Sequence, residues 1–351
     1  MHFRFSSSAV VAAFVFASSS SCALAWDYEG HRNVNSLALA GLPAEFPAFV
    51  RAPEAAERIA FLSGEPDRWR NVADLPVRHA NAPDHYLDLE YLTEAGLTLA
   101  GLSEFRHVYT EQFAAGRAAH PEYFPAIDPE KNKDHTRELV GYLPWAIVEH
   151  YGKLKSAFSY LKAFEEAGTP EEIANARANI IYLMGVMGHY VGDGAQPLHT
   201  TKHHNGWVGD NPHGYTTWNK FHAWIDGGFP AKAGVSFGEL APRARPARIL
   251  GAAPQPGAPA PARDPIFSDV LAYLENQHAQ VEPLYALDKA GGLKADGVPA
   301  AIAGGKAFIE EQQLRGGEML ASLWLTAWRT APLDVYLRAR LAERSGAITG
   351  K

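Results

Sequence analysis

The 351-residue chain contains almost no cysteine, and the only one, Cys22, lies close to the N-terminus. Disulfide bonds and thiolate-bound metals are therefore excluded for the residues that follow it. An excess of positive charge is also missing, because 32 Lys and Arg residues stand against 39 Asp and Glu residues. The net charge of −7 argues against a polybasic surface for nucleic acid. Binding of phosphate would need another source of positive charge, such as metal ions.

Long hydrophobic runs are missing beyond the first residues. The most apolar later stretch, 173–191, is interrupted by Asn175, Arg177, Asn179 and His189, so no transmembrane helix is predicted there. Apolar residues nevertheless make up 47% of the chain, which is enough for a packed core.

The N-terminal segment has the order of a signal peptide. His2 and Arg4 precede an apolar stretch over 9–17, and a small-residue cleavage site ends at Ala25. We therefore expect a signal peptide over 1–25, cleavage between Ala25 and Trp26, and a secreted or periplasmic protein. The sequence gives no indication of an obligate protein partner.

Alternating strand patterns are scarce, whereas apolar residues recur at helical spacing. Thr169 and Pro170 form a typical helix start, and the apolar character of the segment after them predicts a central buried helix. The segments with helical spacing are 144–164, 173–190, 266–285 and 307–328.

We predict a single all-α, mostly helical domain with long loops over 26–335. Residues 242–265, which are rich in Pro and Ala, are predicted to form a surface loop. Residues 336–351 are predicted to be a C-terminal tail.

Histidine is abundant, with 15 residues, and its placement carries the functional prediction. His189 and Asp193 are four residues apart, as are His222 and Asp226, so each pair would share one helix face and could bind one metal ion. One such pair alone is also typical of a surface ion pair. Two pairs favour a metal centre, and imidazole with carboxylate suits zinc. Further candidate ligands are His199, His85, Asp67 and His31.

These residues form an ordered series of motifs that resembles a known family. The family is that of the trinuclear-zinc nucleases, namely the fungal single-strand-specific nucleases and their bacterial relatives, in a superfamily shared with bacterial zinc phospholipase C. It is all-helical. The motifs here are Trp26…Gly30-His31, Asp67-x-x-Arg70, His85-Tyr86-x-Asp88, His189-x-x-Gly192-Asp193-x-x-Gln196-Pro197-Leu198-His199 and His222-x-x-x-Asp226.

The resemblance implies three zinc ions. The first would be bound by Asp67, His85, His189 and Asp193. The second would be bound by His31, by Asp193 as a bridge, and by the amino and carbonyl groups of Trp26. The third would be bound by His199, His222 and Asp226. An amino-group ligand at Trp26 requires removal of the signal peptide, and zinc would displace the proton of that amine.

The resemblance also implies roles for residues beside the ligands. Arg70 would contact the substrate phosphate, although an ion pair on the surface is the alternative. Asp88 would orient the attacking water or a ligand histidine, and the alternative is a carboxylate paired elsewhere in a turn. Tyr86 would stack on a base, or would belong to the core.

The loop between His199 and His222 departs from the family, which carries a base-reading Gly-Gly-Asn segment in this region. Trp207, Tyr215 and Trp218 are alternative stacking surfaces here. The loop histidines could bind substrate, bind extra metal or be solvated. They are His203, His204 and His213.

We therefore expect an exported zinc phosphodiesterase that hydrolyses single-stranded DNA or RNA through a zinc-activated hydroxide and also acts on 3′-nucleotides. Two alternatives stay open. One is a zinc-dependent phospholipase C acting on phospholipid, and the other is a periplasmic zinc-binding protein without catalysis. Arg70 favours the nuclease, as does Asp226 where the lipase has a glutamate.

Overall fold

The computed structural model describes residues 26–251 and 263–349, which are almost entirely helical. The predicted signal peptide over 1–25 lies outside the described residues. Within those two ranges, the only β-type pairing is one isolated antiparallel bridge between Leu87 and Gly141. The prediction of an all-α, mostly helical domain is confirmed.

The helices follow one another with short turns. Two of the turns matter for the site, because the 3₁₀ turns Ala82–His85 and Pro197–Thr200 each carry a histidine. Helix α9 continues directly into a π-helical turn, Trp224–Gly228. The α-helices are α1 (Tyr28–Gly41), α2 (Pro53–Leu62), α3 (Glu65–Arg70), α4 (Leu75–Asn81), α5 (Leu89–Glu94), α6 (Arg106–Ala119), α7 (Leu143–Ala167), α8 (Pro170–Ala195), α9 (Phe221–Ala223), α10 (Phe229–Ala233), α11 (Phe237–Leu240), α12 (Pro265–His278), α13 (Val281–Lys289), α14 (Pro299–Thr330) and α15 (Val335–Thr349).

Helix α8 begins where the sequence predicts. The Thr169 hydroxyl accepts a hydrogen bond from the Glu172 N–H at 3.2 Å, and the Glu172 carboxylate accepts one from the Thr169 N–H at 2.8 Å. This reciprocal capping box satisfies two of the N–H groups that a helix start leaves free. Pro170 then occupies the first turn, where its missing N–H costs nothing.

The prediction that α8 is buried all round holds for its second half only. Every residue from Met184 to Ala195 is buried, whereas Tyr182 is 41% exposed. The buried half lies among α1, α2, α7 and α14. Asn35 of α1 fixes this arrangement, since its amide donates to the carbonyls of Ile59 in α2, at 2.8 Å, and Gly185 in α8, at 3.1 Å.

The single helix predicted over 266–285 is wrong, because α12 ends at His278 and α13 begins at Val281. The break follows from a tertiary contact. His278 Nδ1–H donates to the Thr200 carbonyl at 2.9 Å, which ties the end of α12 to the turn over 197–200. The helix predicted over 307–328 is correct but longer, since it begins at Pro299.

Two predicted irregular segments have defined contacts. The described start of the 242–265 loop runs along α14, where the backbone N–H of Leu250 donates to the Thr326 hydroxyl at 2.9 Å. Residues 252–262 lie outside the described residues. The predicted tail is mostly helix α15, and Arg344 on it forms two hydrogen bonds to Glu172, at 2.8 and 2.9 Å.

No helix in the described ranges has both the length and the apolar character needed to cross a bilayer.

The stability of the native state should depend on pH through His150, a partly buried residue of α7. Its Nδ1–H donates to the Ala146 carbonyl at 2.8 Å, and its ring centre lies 5.0 Å from that of Tyr190. Burial lowers the pKa of His150 to about 4. As the pH falls from about 6.5 to 4, the unfolded chain therefore binds a proton that the native chain does not, and the native state loses stability.

We expect His150→Phe to remove this loss. When the pH is lowered from 7 to 4.5, the free energy of unfolding of the variant should increase by roughly 2 kcal/mol relative to that of the wild type. Urea unfolding curves of both proteins at the two pH values measure this difference. A difference between the two proteins that stays constant with pH would contradict the prediction.

Candidate metal centre

The first group of candidate ligands forms around Asp193. On α8, the four-residue spacing brings Asp193 Oδ2 to 3.3 Å from His189 Nε2. His85, at the end of its 3₁₀ turn, places Nδ1 at 3.0 Å from the same oxygen. Asp67 on α3 completes the group, with Oδ1 at 3.8 Å from His189 Nε2 and 4.0 Å from His85 Nδ1. All four residues are buried.

The facing imidazole nitrogens in this group fit a cation. His189 Nδ1–H donates to the Ser63 carbonyl at 2.6 Å, which leaves a lone pair on Nε2. That Nε2 lies 2.9 Å from His85 Nδ1. Two lone pairs at this distance repel each other unless a proton or a cation lies between them. The group is therefore suited to a metal ion.

His31 and Trp26, at the start of the described chain, form a second group of candidate ligands that contacts the first. The His31 ring stacks on His189 with centres 4.0 Å apart, and its Nε2 lies 3.4 Å from Asp193 Oδ1. The Trp26 indole N–H donates to the Gly192 carbonyl at 2.8 Å. His31 also lies in one cluster with Asp67 and His189.

Gly192 makes room for His31. A Cβ atom at Gly192 would lie only 2.8 Å from His31 Nδ1. A residue with a side chain would therefore displace the imidazole, and glycine is needed for this close approach.

A third group lies alongside, on the 3₁₀ turn at Pro197–Thr200 and on α9 with its π turn. His199 Nε2 and His222 Nε2 are 3.0 Å apart, and His222 Nε2 lies 3.2 Å from Asp226 Oδ2. Asp226 is held by Gln196, whose amide donates to Oδ1 at 2.6 Å. His199 Nδ1–H donates to the His85 carbonyl at 2.5 Å, which directs Nε2 into the group.

The first and third groups belong to one site. His199 Nδ1 lies 3.9 Å from Asp193 Oδ1, so the two groups meet at this carboxylate. Within the described residues, Asp193 Oδ1 and Asp226 Oδ2 are buried and accept no hydrogen bond. Burying such an oxygen is costly unless a cation compensates it. These buried clusters could hold metal ions.

Burial and neighbouring charge act differently on the carboxylates. Burial raises the pKa of Asp193, but its electrostatic interactions with the His189 and His199 rings outweigh burial and hold that pKa well below its usual range. Burial raises the pKa of Asp226 well above its usual range, despite the Gln196 hydrogen bond. Asp193 is therefore ionised, whereas Asp226 needs a nearby cation to ionise readily.

The imidazoles of the third group are held neutral. Burial, and then the proximity of the His199 and His204 rings, lower the pKa of His222 well below its usual range. Burial also lowers the pKa of His199. Neutral imidazole is the form that binds a metal ion.

Arg70 lies beside the ligands, at the end of α3. Its Nε is 2.7 Å from Asp67 Oδ1, and both side chains are largely buried. Burial, and then the charge of Arg70, lower the pKa of His85 well below its usual range. The same charge acts against protonation of His222 and favours ionisation of Asp226, so it reaches both groups.

Tyr86 and Asp88 extend from His85 along the segment that pairs with Gly141. The Tyr86 side chain is partly buried, and its hydroxyl donates a long hydrogen bond to the Leu139 carbonyl at 3.5 Å. The Asp88 carboxyl is buried, and burial raises its pKa well above the usual range. Its backbone N–H donates to the Val140 carbonyl at 2.8 Å. The role of Asp88 stays a prediction.

The aromatic residues of the divergent loop differ in exposure. Trp207 stacks on His203 with ring centres 3.9 Å apart, and Tyr215 packs against Tyr285 at 5.5 Å. Both are therefore engaged within the protein. Trp218 is 47% exposed and lies four residues before His222.

Three contributors had no assigned role in the sequence analysis. They are the Ser63 carbonyl, the Gln196 amide and the open space at Gly192. Gln196 and Gly192 lie inside the motif between His189 and His199, which was the available signal. Nothing local marks the Ser63 carbonyl, because it reaches His189 only through tertiary packing.

No protein-family model and no curated protein sequence matches the chain.

We expect Gly192→Ala to weaken metal binding, because the added methyl group displaces His31. Loss of a well-oriented ligand should lower the affinity for one ion by about 10- to 100-fold. Competition with a chelator, combined with metal analysis of the purified protein, measures the loss.

Gly152→Ala on α7 is a matched control, since a Cβ atom there meets nothing within 4 Å. It should leave metal binding unchanged and increase helix stability by up to about 1 kcal/mol. Equal metal affinities of the two variants would show that the space at Gly192 does not serve ion binding.

Proposed function

We propose that the protein is an exported phosphodiesterase with three zinc ions that hydrolyses single-stranded DNA or RNA and removes 3′-phosphates from nucleotides. The observation that carries this proposal is the environment of Asp193. Its buried carboxylate lies 3.0 to 3.4 Å from nitrogens of His85, His189 and His31, with a second His/Asp group beside it. Clustered cations held in this way suit the displacement of a phosphoester.

The side-chain distances around Asp193 and Asp226 support the ligand sets that the resemblance to the zinc nucleases implies. Asp67, His85, His189 and Asp193 would hold one ion, and His199, His222 and Asp226 another. His31 and Asp193 would hold the remaining ion together with the amino and carbonyl groups of Trp26. Bound zinc would lower the pKa of a water molecule toward ~7 and supply positive charge that this acidic chain lacks.

Two contacts hold Trp26 and Asp27 near the candidate ligands. The Trp26 indole is fixed to Gly192, one residue before Asp193. The N–H of Asp27 donates to the Asp226 carbonyl at 3.2 Å. The Trp26 backbone is thus anchored between α8 and the π turn. This anchoring supports a ligand role for its amino group after removal of the signal peptide.

Arg70 would bind the phosphate. Its Nε is 2.7 Å from Asp67 Oδ1, and the planar, permanently charged guanidinium group is the side chain best suited to phosphate oxygens. Its charge acts on His85 in the first group and on His222 in the third group. This influence on both groups supports phosphate contact over the alternative of a simple ion pair.

Aromatic surfaces near the site would hold an unstacked base. Tyr86 directly follows His85, and Trp218 is half-exposed near His222. Base–aromatic stacking is tolerant of sequence, as expected for an enzyme of single strands. Within this proposal, Asp88 orients the attacking water or a ligand histidine.

Phospholipase C activity is the second candidate, and one observation favours it. Helix α4, between Arg70 and His85, has no buried residue and exposes Leu75 and Val77. Exposed apolar side chains next to a catalytic site are suited to contact with lipid. Arg70 and Asp226 favour the nuclease, as the resemblance of the sequence motifs implies. The further alternative is a zinc-binding protein without catalysis.

One assay distinguishes these candidates. Mature protein beginning at Trp26, loaded with zinc, should release acid-soluble nucleotides from heat-denatured DNA. EDTA should abolish this release, because the ligand groups alone cannot activate water. A 3′-nucleotide and phosphatidylcholine are tested in parallel. Cleavage of phosphatidylcholine with intact single strands would establish the lipase instead, and no turnover of any substrate would refute an enzyme.

Metal counting tests the ligand assignment separately. Asp193→Ala should lose two ions together, because its carboxylate serves two sets, whereas His222→Ala should lose only one. Inductively coupled plasma analysis of both purified variants gives the numbers. Equal losses in the two variants would contradict the bridging role of Asp193.

A further inference from the structure

The three histidines of the loop between His199 and His222 differ in what their ring nitrogens do. His203 Nδ1 accepts a hydrogen bond from the Val208 N–H at 3.1 Å, so the neutral ring carries its proton on Nε2, which faces Glu90 Oε1 at 4.0 Å. The Tyr285 hydroxyl donates to the His203 carbonyl. His213 is exposed, with its ring 5.3 Å from that of Tyr215. Neither ring is available to the site.

His204 is placed differently. Its ring centre lies 6.0 Å from that of His222, and its Nδ1–H donates to the Thr201 carbonyl at 3.2 Å. His189 and His199 use the same arrangement, with Nδ1–H on a backbone carbonyl and Nε2 directed into the site. In the described part of the chain, no hydrogen bond uses His204 Nε2. The neutral His204 ring therefore carries its lone pair on Nε2, and the ring lies beside His222 of the third group.

His204 lies next to the third group without belonging to it. The cluster of mutually close ligand atoms contains His199, His222 and Asp226 only. A lone pair on nitrogen accepts a hydrogen bond, so it cannot bind ionised phosphate oxygens, which are acceptors themselves. The ligand group that it recognises must carry a hydrogen.

A substrate hydroxyl meets this requirement. Given the proposed function, on which this inference depends, the scissile phosphate lies among the ligand groups and Arg70. The sugar hydroxyl nearest to a phosphodiester in RNA is the 2′-hydroxyl, which DNA lacks and which proteins use to distinguish the two. We propose that His204 is a specificity-determining residue that accepts a hydrogen bond from this 2′-hydroxyl and favours RNA over DNA.

The test compares zinc-loaded mature protein on oligo(U) and oligo(dU), which differ only in the 2′-hydroxyl. His204→Ala should lower the ratio of kcat/KM for oligo(U) to that for oligo(dU) by about three- to tenfold, the worth of one hydrogen bond. His204→Gln, which keeps an acceptor oxygen, should recover part of the ratio. His120→Ala, at an exposed histidine outside the loop, is the control and should keep the wild-type ratio.

A second readout does not depend on turnover. Calorimetry with cleavage-resistant phosphorothioate dinucleotides should show that the His204→Ala variant binds the ribose form more weakly than the wild type does, by a similar factor. Both proteins should bind the deoxyribose form with equal affinity. Zinc content must equal that of the wild type.

Several results would overturn the proposal. An unchanged ratio would do so, and so would equal losses on both oligomers. Loss of zinc from His204→Ala would assign the residue to ion binding instead. If the wild type cleaves neither oligomer, the proposed function fails and this inference fails with it. If the wild type is active but His204→Ala has the same kcat/KM ratio for oligo(U) over oligo(dU), only the His204 inference fails.

Discussion

The site depends on the burial of one negative charge. Asp193 is fully buried on the inner half of α8, where an isolated carboxylate would cost several kcal/mol. It persists because imidazoles reach it from three different parts of the chain, on α1, on the turn ending at His85, and on α8 itself. Each of these rings is in turn fixed by its own contacts. The packing of α1, α2, α3 and α8 therefore brings polar partners to this buried carboxylate and compensates the cost of burying it.

Much of the fold could be predicted because the signals were local. The capping box at Thr169 and the helical spacing over 144–164 depend only on nearby residues, and both helices begin close to where they were expected. The continuous helix over 266–285 was wrong because periodicity does not reveal a distant contact. The hydrogen bond from His278 to Thr200 decides where α12 ends.

The candidate site could be predicted to a similar degree. The pairs His189/Asp193 and His222/Asp226 were visible from their four-residue spacing, and they do lie within ion-pair distance. What spacing could not reveal is that the second pair spans the junction between helix α9, which carries His222, and the π turn, which carries Asp226. It also could not reveal which histidine of the divergent loop faces the site. That depends on the stacking of His203 on Trp207, which is set by tertiary packing.

The π turn at Trp224–Gly228 also affects how the molecule assembles. Gly227 lies so close to Asp27 that an added Cβ would come within 2.6 Å of its carboxylate, and the Asp27 N–H bonds to the Asp226 carbonyl. This contact joins positions about 200 residues apart. Closing so long a loop costs conformational entropy, which only the contacts made after closure can offset. The centre therefore needs residues from both ends of this loop, Asp27 and Asp226, to be present together. A growing chain has no finished metal cleft until most of it has left the ribosome.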